Sequence, residues 1–221
     1  MDILFRLETV REFSSRVSWQ RILDVGCGDG SISLQLLTQN SHLTLLDISK
    51  SMLSIAKERV PEHLAANVVV RHENFQAACF GDERFDLIIT VGVMAHVDSP
   101  DAFLAKLRSL LNPGGSLIIE FTDSRHFVGR VGRGLGRLKE AVAPARYETN
   151  KLSYSIVASL FQKHRLRQCA AFRYARVPVP AVDRLMGTTL QYRLAKRVFN
   201  DCVENTNAAL GNEYICMLTA D

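Results

Sequence analysis

Seven consecutive residues, Asp24-Val25-Gly26-Cys27-Gly28-Asp29-Gly30, set three alternating glycines among carboxylates. Such glycines let a backbone turn tightly and let a ligand approach the main chain with no Cβ in the way. A helix beginning near Gly30 would add free N–H groups and a positive dipole end for a carboxylate or another polar group. Asp47 ends the next apolar run, about 20 residues on, where an acid can accept hydrogen bonds from ribose hydroxyls. A dinucleotide fingerprint, G-x-G-x-x-G, needs a small third residue at position 31, which is Ser31. The order here is G-x-G-x-G, and it argues against a nicotinamide oxidoreductase.

These residues need elements to hold them. Ile3, Leu7, Val10, Phe13 and Val17 recur at helical spacing and predict a helix over 2–18. Short Val/Ile/Leu runs predict strands at 21–25, 43–47, 67–71, 85–91 and 116–121. Helices are expected over 31–39, from a Ser49 cap to Val60, and from Ser99-Pro100 to Leu111. Buried strands alternating with helices mean a parallel sheet covered on both faces, a doubly wound α/β sandwich. Ligands of such sheets bind beyond the carboxyl ends of the strands, at the switch point. Later in the chain, 153–163 reads as a helix, 166–175 and 212–220 as strands. Leu185, Leu190, Leu194 and Val198 show helical spacing.

The chain has 221 residues, 47% of them hydrophobic, which suits one domain with a sizeable core and excludes global disorder. Its net charge of +4 is unevenly spread, with an acidic stretch up to Glu120 and a basic remainder. Met1 is followed closely by Asp2, Arg6 and Glu8, so no secretory signal is read, and no apolar stretch is long enough to span a membrane. The five cysteines are widely spaced with no C-x-x-C, and read as reduced thiols of a cytoplasmic protein.

Four separated stretches, ILDVGCGDG (22–30), LTLLDIS (43–49), FDLIITVGVMAHV (85–97) and LLNPGGSLIIE (110–120), occur in the order of the class I S-adenosylmethionine (SAM) dependent methyltransferases, which the chain resembles over its first 120 or so residues. The resemblance implies a seven-stranded, mostly parallel sheet whose last strand is antiparallel, in a single domain spanning 1–221. SAM would be the cofactor of 1–121, with 122–165 and 176–211 capping the acceptor. It implies Asp24, Gly26, Cys27 and Gly28 at the methionine end, Asp47 on the ribose, and Ile48, Met52 and Phe75 near the adenine. Asn74 stands where an acid is usual, so the adenine amino group falls to Asn74 or to Glu73. Backbone carbonyls of Val91 and Gly92 would meet the ligand's amino group.

An activated methyl needs an aligned acceptor, and a base if that acceptor is a hydroxyl or an acidic carbon. His96, in the loop after the fourth strand, is the leading candidate, since imidazole exchanges protons near neutrality. The alternative is an imidazole that only packs the loop. Asp123, Arg125, His126 and Tyr147 follow the fifth strand and could face the acceptor, Tyr147 as a second candidate for catalysis. Arg125, Arg130, Arg133, Arg137 and Lys139 interleave with apolar residues and four glycines, and read as a lid favouring acidic or phosphate-bearing acceptors. Membrane docking by this segment is the less favoured reading. Nucleic acid is disfavoured, because Gly92-Val93-Met94-Ala95 replaces the N/D-P-P-Y/F of base-methylating members and stacking aromatics are few. No carboxylate constellation for a metal is seen. The reading is therefore a methyltransferase of a small molecule, at oxygen or else at carbon or nitrogen, acting as a monomer or homodimer. Its rivals are a lipid-linked or RNA methyltransferase and a non-catalytic SAM-binding partner subunit.

Overall fold

The computed structural model describes residues 2–127, 152–175 and 187–220. Seven strands form one sheet: β1 (Arg21–Val25), β2 (His42–Asp47), β3 (Val68–His72), β4 (Phe85–Thr90), β5 (Leu111–Thr122), β6 (Leu166–Tyr174) and β7 (Glu213–Ala220). Their order is β3-β2-β1-β4-β5-β7-β6. The first five are parallel, and β7 runs antiparallel to both β5 and β6. The chain builds outward from β1 to β3 and then returns to place β4 on the other side of β1. That reversal opens a crevice at the carboxyl end of β1.

Two apolar layers cover the sheet. One face packs on α3 (Pro100–Leu110) and α4 (Tyr154–Lys163), through Phe103, Leu104, Leu107, Val157 and Phe161. The other packs on α1 (Asp2–Ser15), α2 (Lys50–Arg59) and α5 (Thr188–Phe199), through Phe5, Phe13, Leu53, Ala56, Ala195 and Phe199. The helix starts follow from capping. Ser49 Oγ accepts the Met52 N–H, and Ser99 Oγ accepts the Ala102 N–H ahead of Pro100 in the first turn. Among the described residues no helix is long and apolar enough to cross a membrane.

The structure departs from the sequence reading in three places. The helix expected over 31–39 is a series of turns with a single 3-10 turn at Leu34–Leu36. Side-chain oxygens take the amides a helix would use: Asp29 Oδ1 accepts from Ser31 N–H and Ser41 Oγ from Thr38 N–H. Arg59 fixes Asp29 from outside by an ion pair. The loop therefore has no helix dipole behind it. Second, α1 turns Phe5 and Thr9 inward with Val10 and Phe13, while Ile3 is exposed. Third, α5 forms but buries Ala195 and Phe199, leaving Leu190, Leu194 and Val198 exposed. Leu185 and the cationic run from Arg130 to Lys139 lie outside the described residues.

At the amino ends of the strands one carboxylate ties three of them together. Asp86 Oδ2 accepts from the Gln20 and Arg21 N–H groups, each at 2.9 Å, and Oδ1 accepts from Asn112 Nδ2 at 2.7 Å. Burial opposes its charge, but these donors outweigh burial and hold the carboxyl below its ordinary range. Stability from a depressed acid is present above its unfolded pKa and lost as pH falls through the folded one. Asp86→Ala is expected to lower stability by about 2 kcal/mol at pH 7, read by urea denaturation, and by much less below pH 3.

Candidate active site

Past Val25 the chain leaves the sheet through Gly26 and Cys27, whose N–H groups donate to the Leu46 carbonyl at 2.8 and 3.2 Å. Gly26 and Gly30 have φ of +71° and +70°, where side chains are strained. A Cβ at Gly26 would also stand 2.3 Å from Val93 Cγ2. Asp47, at the end of β2, accepts the Gly28 N–H at Oδ2 and the Ser49 N–H at Oδ1, both at 2.8 Å. It joins the glycine loop to the start of α2.

Asp24 is 3% exposed, and its Oδ2 has no hydrogen-bond partner. Burial raises its carboxyl to about 7; the neighbouring Ser33 hydroxyl counters this in part, and the charge of Asp47 reinforces it. Burial likewise pushes the Cys27 thiol up, with the charges of Asp24 and Asp47 adding to the rise, so this thiol is no nucleophile.

A cavity of about 330 Å³ opens at the carboxyl ends of β1, β2 and β4. Gly26, Asp47, Ile48, Asn74, Phe75, Val91, Gly92 and His96 all line it. Asp24, Cys27, Gly28, Met52 and Glu73 do not. Met52 lies behind the loop, 3.5 Å from where a Gly28 Cβ would be. Glu73 is turned away into a bidentate pair with Arg71, at 2.8 and 3.2 Å. Asn74 thus faces the cavity, its Oδ1 held by the Gln76 N–H at 2.9 Å.

A second cavity of about 250 Å³ meets the first along Gly92 and His96. Its other walls come from Arg6, Met94, Ala95, Glu120, Phe121, Thr122 and Glu213. His96 closes a 3-10 turn, Met94–His96, its N–H donating to Val93 O at 2.8 Å. Glu120, 3% exposed on β5, takes Arg6 Nε at 2.9 Å and the Tyr174 hydroxyl at 3.0 Å. Burial works against the Arg6 charge, and Glu120 outweighs it, holding the guanidinium above its ordinary value. The sequence reading missed Arg6, Glu120 and Tyr174. The available signal was a carboxylate inside the apolar run Leu117–Phe121.

Asp123, Arg125 and His126 lie past this second cavity and line neither one. Asp123 Oδ1 accepts the Arg125 N–H at 2.9 Å in a local turn, Arg125 is exposed, and His126 Nε2 lies 2.9 Å from Ala209 O. Tyr147 lies outside the described residues. Among the described residues no three His, Cys, Asp or Glu side chains converge as a metal site would require.

A sheet of this order, with a glycine loop after β1 and an acid closing β2, defines a class I SAM-dependent methyltransferase fold. The family profile of a methyltransferase domain matches residues 17–172, and the chain belongs to that family. It is 30% identical over 108 residues to the ubiquinone biosynthesis O-methyltransferase of Coxiella burnetii, a match covering 49% of this chain and 45% of that protein. It is 30% identical over 115 residues to the ubiquinone/menaquinone biosynthesis C-methyltransferase of Shewanella piezotolerans, covering 50% and 46%. The chain thus spans about half the length of the curated relatives it matches. Magnesium protoporphyrin IX methyltransferase from Synechocystis, solved with bound S-adenosylhomocysteine (SAH), superposes with a TM-score of 0.65 at 16% identity, over 96% of this chain and 80% of that one. At that identity it shows the fold alone.

The residues present fit SAM, the family's cofactor. The Asp47 carboxylate, bare glycine backbone, the apolar Phe75 and Ile48 and the Asn74 amide line one slot, a mixture of acceptors and apolar surface that suits a nucleoside. The buried carboxyl of Asp24 gives a test of the loop. Because its folded pKa lies above the unfolded one, the folded chain holds a proton that the unfolded chain has released, and stability falls between about pH 4 and 7. Asp24→Asn copies the protonated form. It is expected to flatten that fall, leaving the variant more stable than the parent at pH 8 by on the order of 3 kcal/mol, with little difference at pH 4. Urea denaturation at the two pH values measures it, and equal pH slopes would contradict the assignment.

Proposed function

We propose that this protein transfers a methyl group from SAM to a small-molecule acceptor, with oxygen the first choice of acceptor atom. One observation carries the reading: two cavities share a single seam, Gly92 and His96, at the switch point of a methyltransferase sheet. The first has the groups a nucleoside with an amino-acid tail requires. The second is about the size of a small organic molecule.

Bound SAM supplies an electrophilic methyl on a sulfonium, so the protein's task is alignment. Asp47 would take the ribose hydroxyls while bracing the loop, and Asn74 would accept from the adenine amino group. Gly26 and the backbone of Val91 and Gly92 would hold the amino-acid end. His96 borders both cavities, as a group must that takes a proton from an acceptor hydroxyl beside the cofactor. Of the segments read as an acceptor cap, 128–151 and 176–186 lie outside the described residues, and α4 and α5 cover the faces of the sheet. All five cysteines are free thiols, which supports a reducing, cytoplasmic setting.

Calorimetry with SAH should give a single site that Asp47→Ala weakens by about 1–3 kcal/mol. Labelled SAM, mixed with the protein and a small-molecule extract, should yield labelled product. His96→Ala should cut turnover by at least about 100-fold while leaving SAH affinity near that of the parent. Silence in the calorimeter would sink the cofactor assignment. Binding without product from any extract would favour a non-catalytic partner subunit.

A further inference from the structure

Helix α5 (Thr188–Phe199) uses only part of its circumference to pack on the protein. Ala195 and Phe199 are buried, and the Tyr192 ring rests on Phe5 with centroids 5.0 Å apart. Glu8 of α1 takes the Tyr192 hydroxyl and, at 2.7 Å, Lys196 Nζ. These contacts seat the helix and turn its other side outward. Leu190, Leu194 and Val198 recur every fourth residue, so they form one row, and they are 47%, 40% and 37% exposed. Five of the twelve exposed large apolar side chains among the described residues fall within 190–210, which makes a patch of them and not scatter.

Cations border this row. Arg193 and Arg197 stand three residues after Leu190 and Leu194, hence beside them on the helix surface, and both are exposed. Neither enters an ion pair among the described residues, whereas Lys196 is taken by Glu8. No acid occurs within 188–199. Asp201, just past the helix, is engaged by the Val203 and Glu204 N–H groups at 2.9 and 3.0 Å. A second copy docked face to face would bring unpaired guanidiniums from both chains into one contact, so charge opposes self-association. A surface of anionic lipid headgroups answers both features, its phosphates taking the arginines and its acyl boundary the apolar row. We propose that α5 is a docking face for an anionic membrane surface, which it touches from one side and does not cross.

The test is co-sedimentation of the full chain with vesicles of phosphatidylcholine alone and of phosphatidylcholine mixed with phosphatidylglycerol, at low and at high salt. The parent should bind the mixed vesicles at least about tenfold more tightly than the neutral ones, and should lose most of that margin at high salt. Arg193→Gln with Arg197→Gln, and separately Leu190→Ser with Leu194→Ser, should each weaken binding to mixed vesicles by at least about tenfold. All four positions are exposed, so thermal melting should find both variants folded like the parent. Leu194→Trp adds a reporter whose emission should move to the blue on mixed vesicles only. A parent that ignores anionic lipid overturns the proposal and leaves the row to a protein partner. Full binding by either double variant also overturns it, and full binding by both would place the contact on another segment, such as the cationic run from Arg130 to Lys139. A parent dimer that the leucine variant dissociates would overturn it too, assigning the row to a second copy.

Discussion

Everything at the carboxyl edge of the sheet hangs on the last two residues of β2. The Leu46 carbonyl takes two amides of the glycine loop, and the Asp47 carboxylate takes a third together with the first amide before α2. Four backbone donors that a free loop would leave to water are satisfied within two residues. The loop needs this clamp because the segment after it does not continue as a long helix. A strand end thus does here what a helix start was expected to do. The same carboxylate that would bind ribose hydroxyls also holds the loop beside them, so ligand affinity and local order share one side chain.

The sheet was legible because its strands are near-continuous Val/Ile/Leu runs between clear stop signals. Ser49, Ser99 and Pro100 marked helix starts by local chemistry, and the structure places the caps there. What periodicity could not settle was which stripe of a helix faces inward. On α5 the leucine spacing is helical, yet Ala195 and Phe199 are the buried pair, because the sheet face beneath it is already filled by Phe172 and Tyr174. The 31–39 segment has helical apolar spacing, but the flanking Asp29 and Ser41 take the Ser31 and Thr38 amides. Arg6 and Glu120 escaped notice for a different reason. They are 114 positions apart, and only the fold brings them together.

Two buried acids show two solutions to one electrostatic problem. A carboxylate removed from water must either take a proton or find a cation. Asp24 has no cation and is driven toward the protonated form. Glu120 recruits Arg6 from 114 positions earlier in the chain and remains the anion of a pair. The acidic character of the first half of the sequence is therefore spent partly inside the fold and is not simply a surface field. Of the 16 Lys and Arg that follow Glu120, eight lie in segments beyond the described residues and eight within them.

The placement of β7 bears on how the molecule is assembled. This strand is the last of the seven in the chain, yet it lies inside the sheet, between β5 and β6. During synthesis β1 to β5 can pair as they emerge, but β6 has no neighbour until residues 213–220 arrive. Until then β5 presents an open edge of unmatched N–H and C=O groups, and Phe172 and Tyr174 lack their place in the core. The nascent chain passes through a stage in which β1 to β5 can be ordered while β6 still lacks its neighbour, a window in which a chaperone or another copy's strand could take the vacant edge.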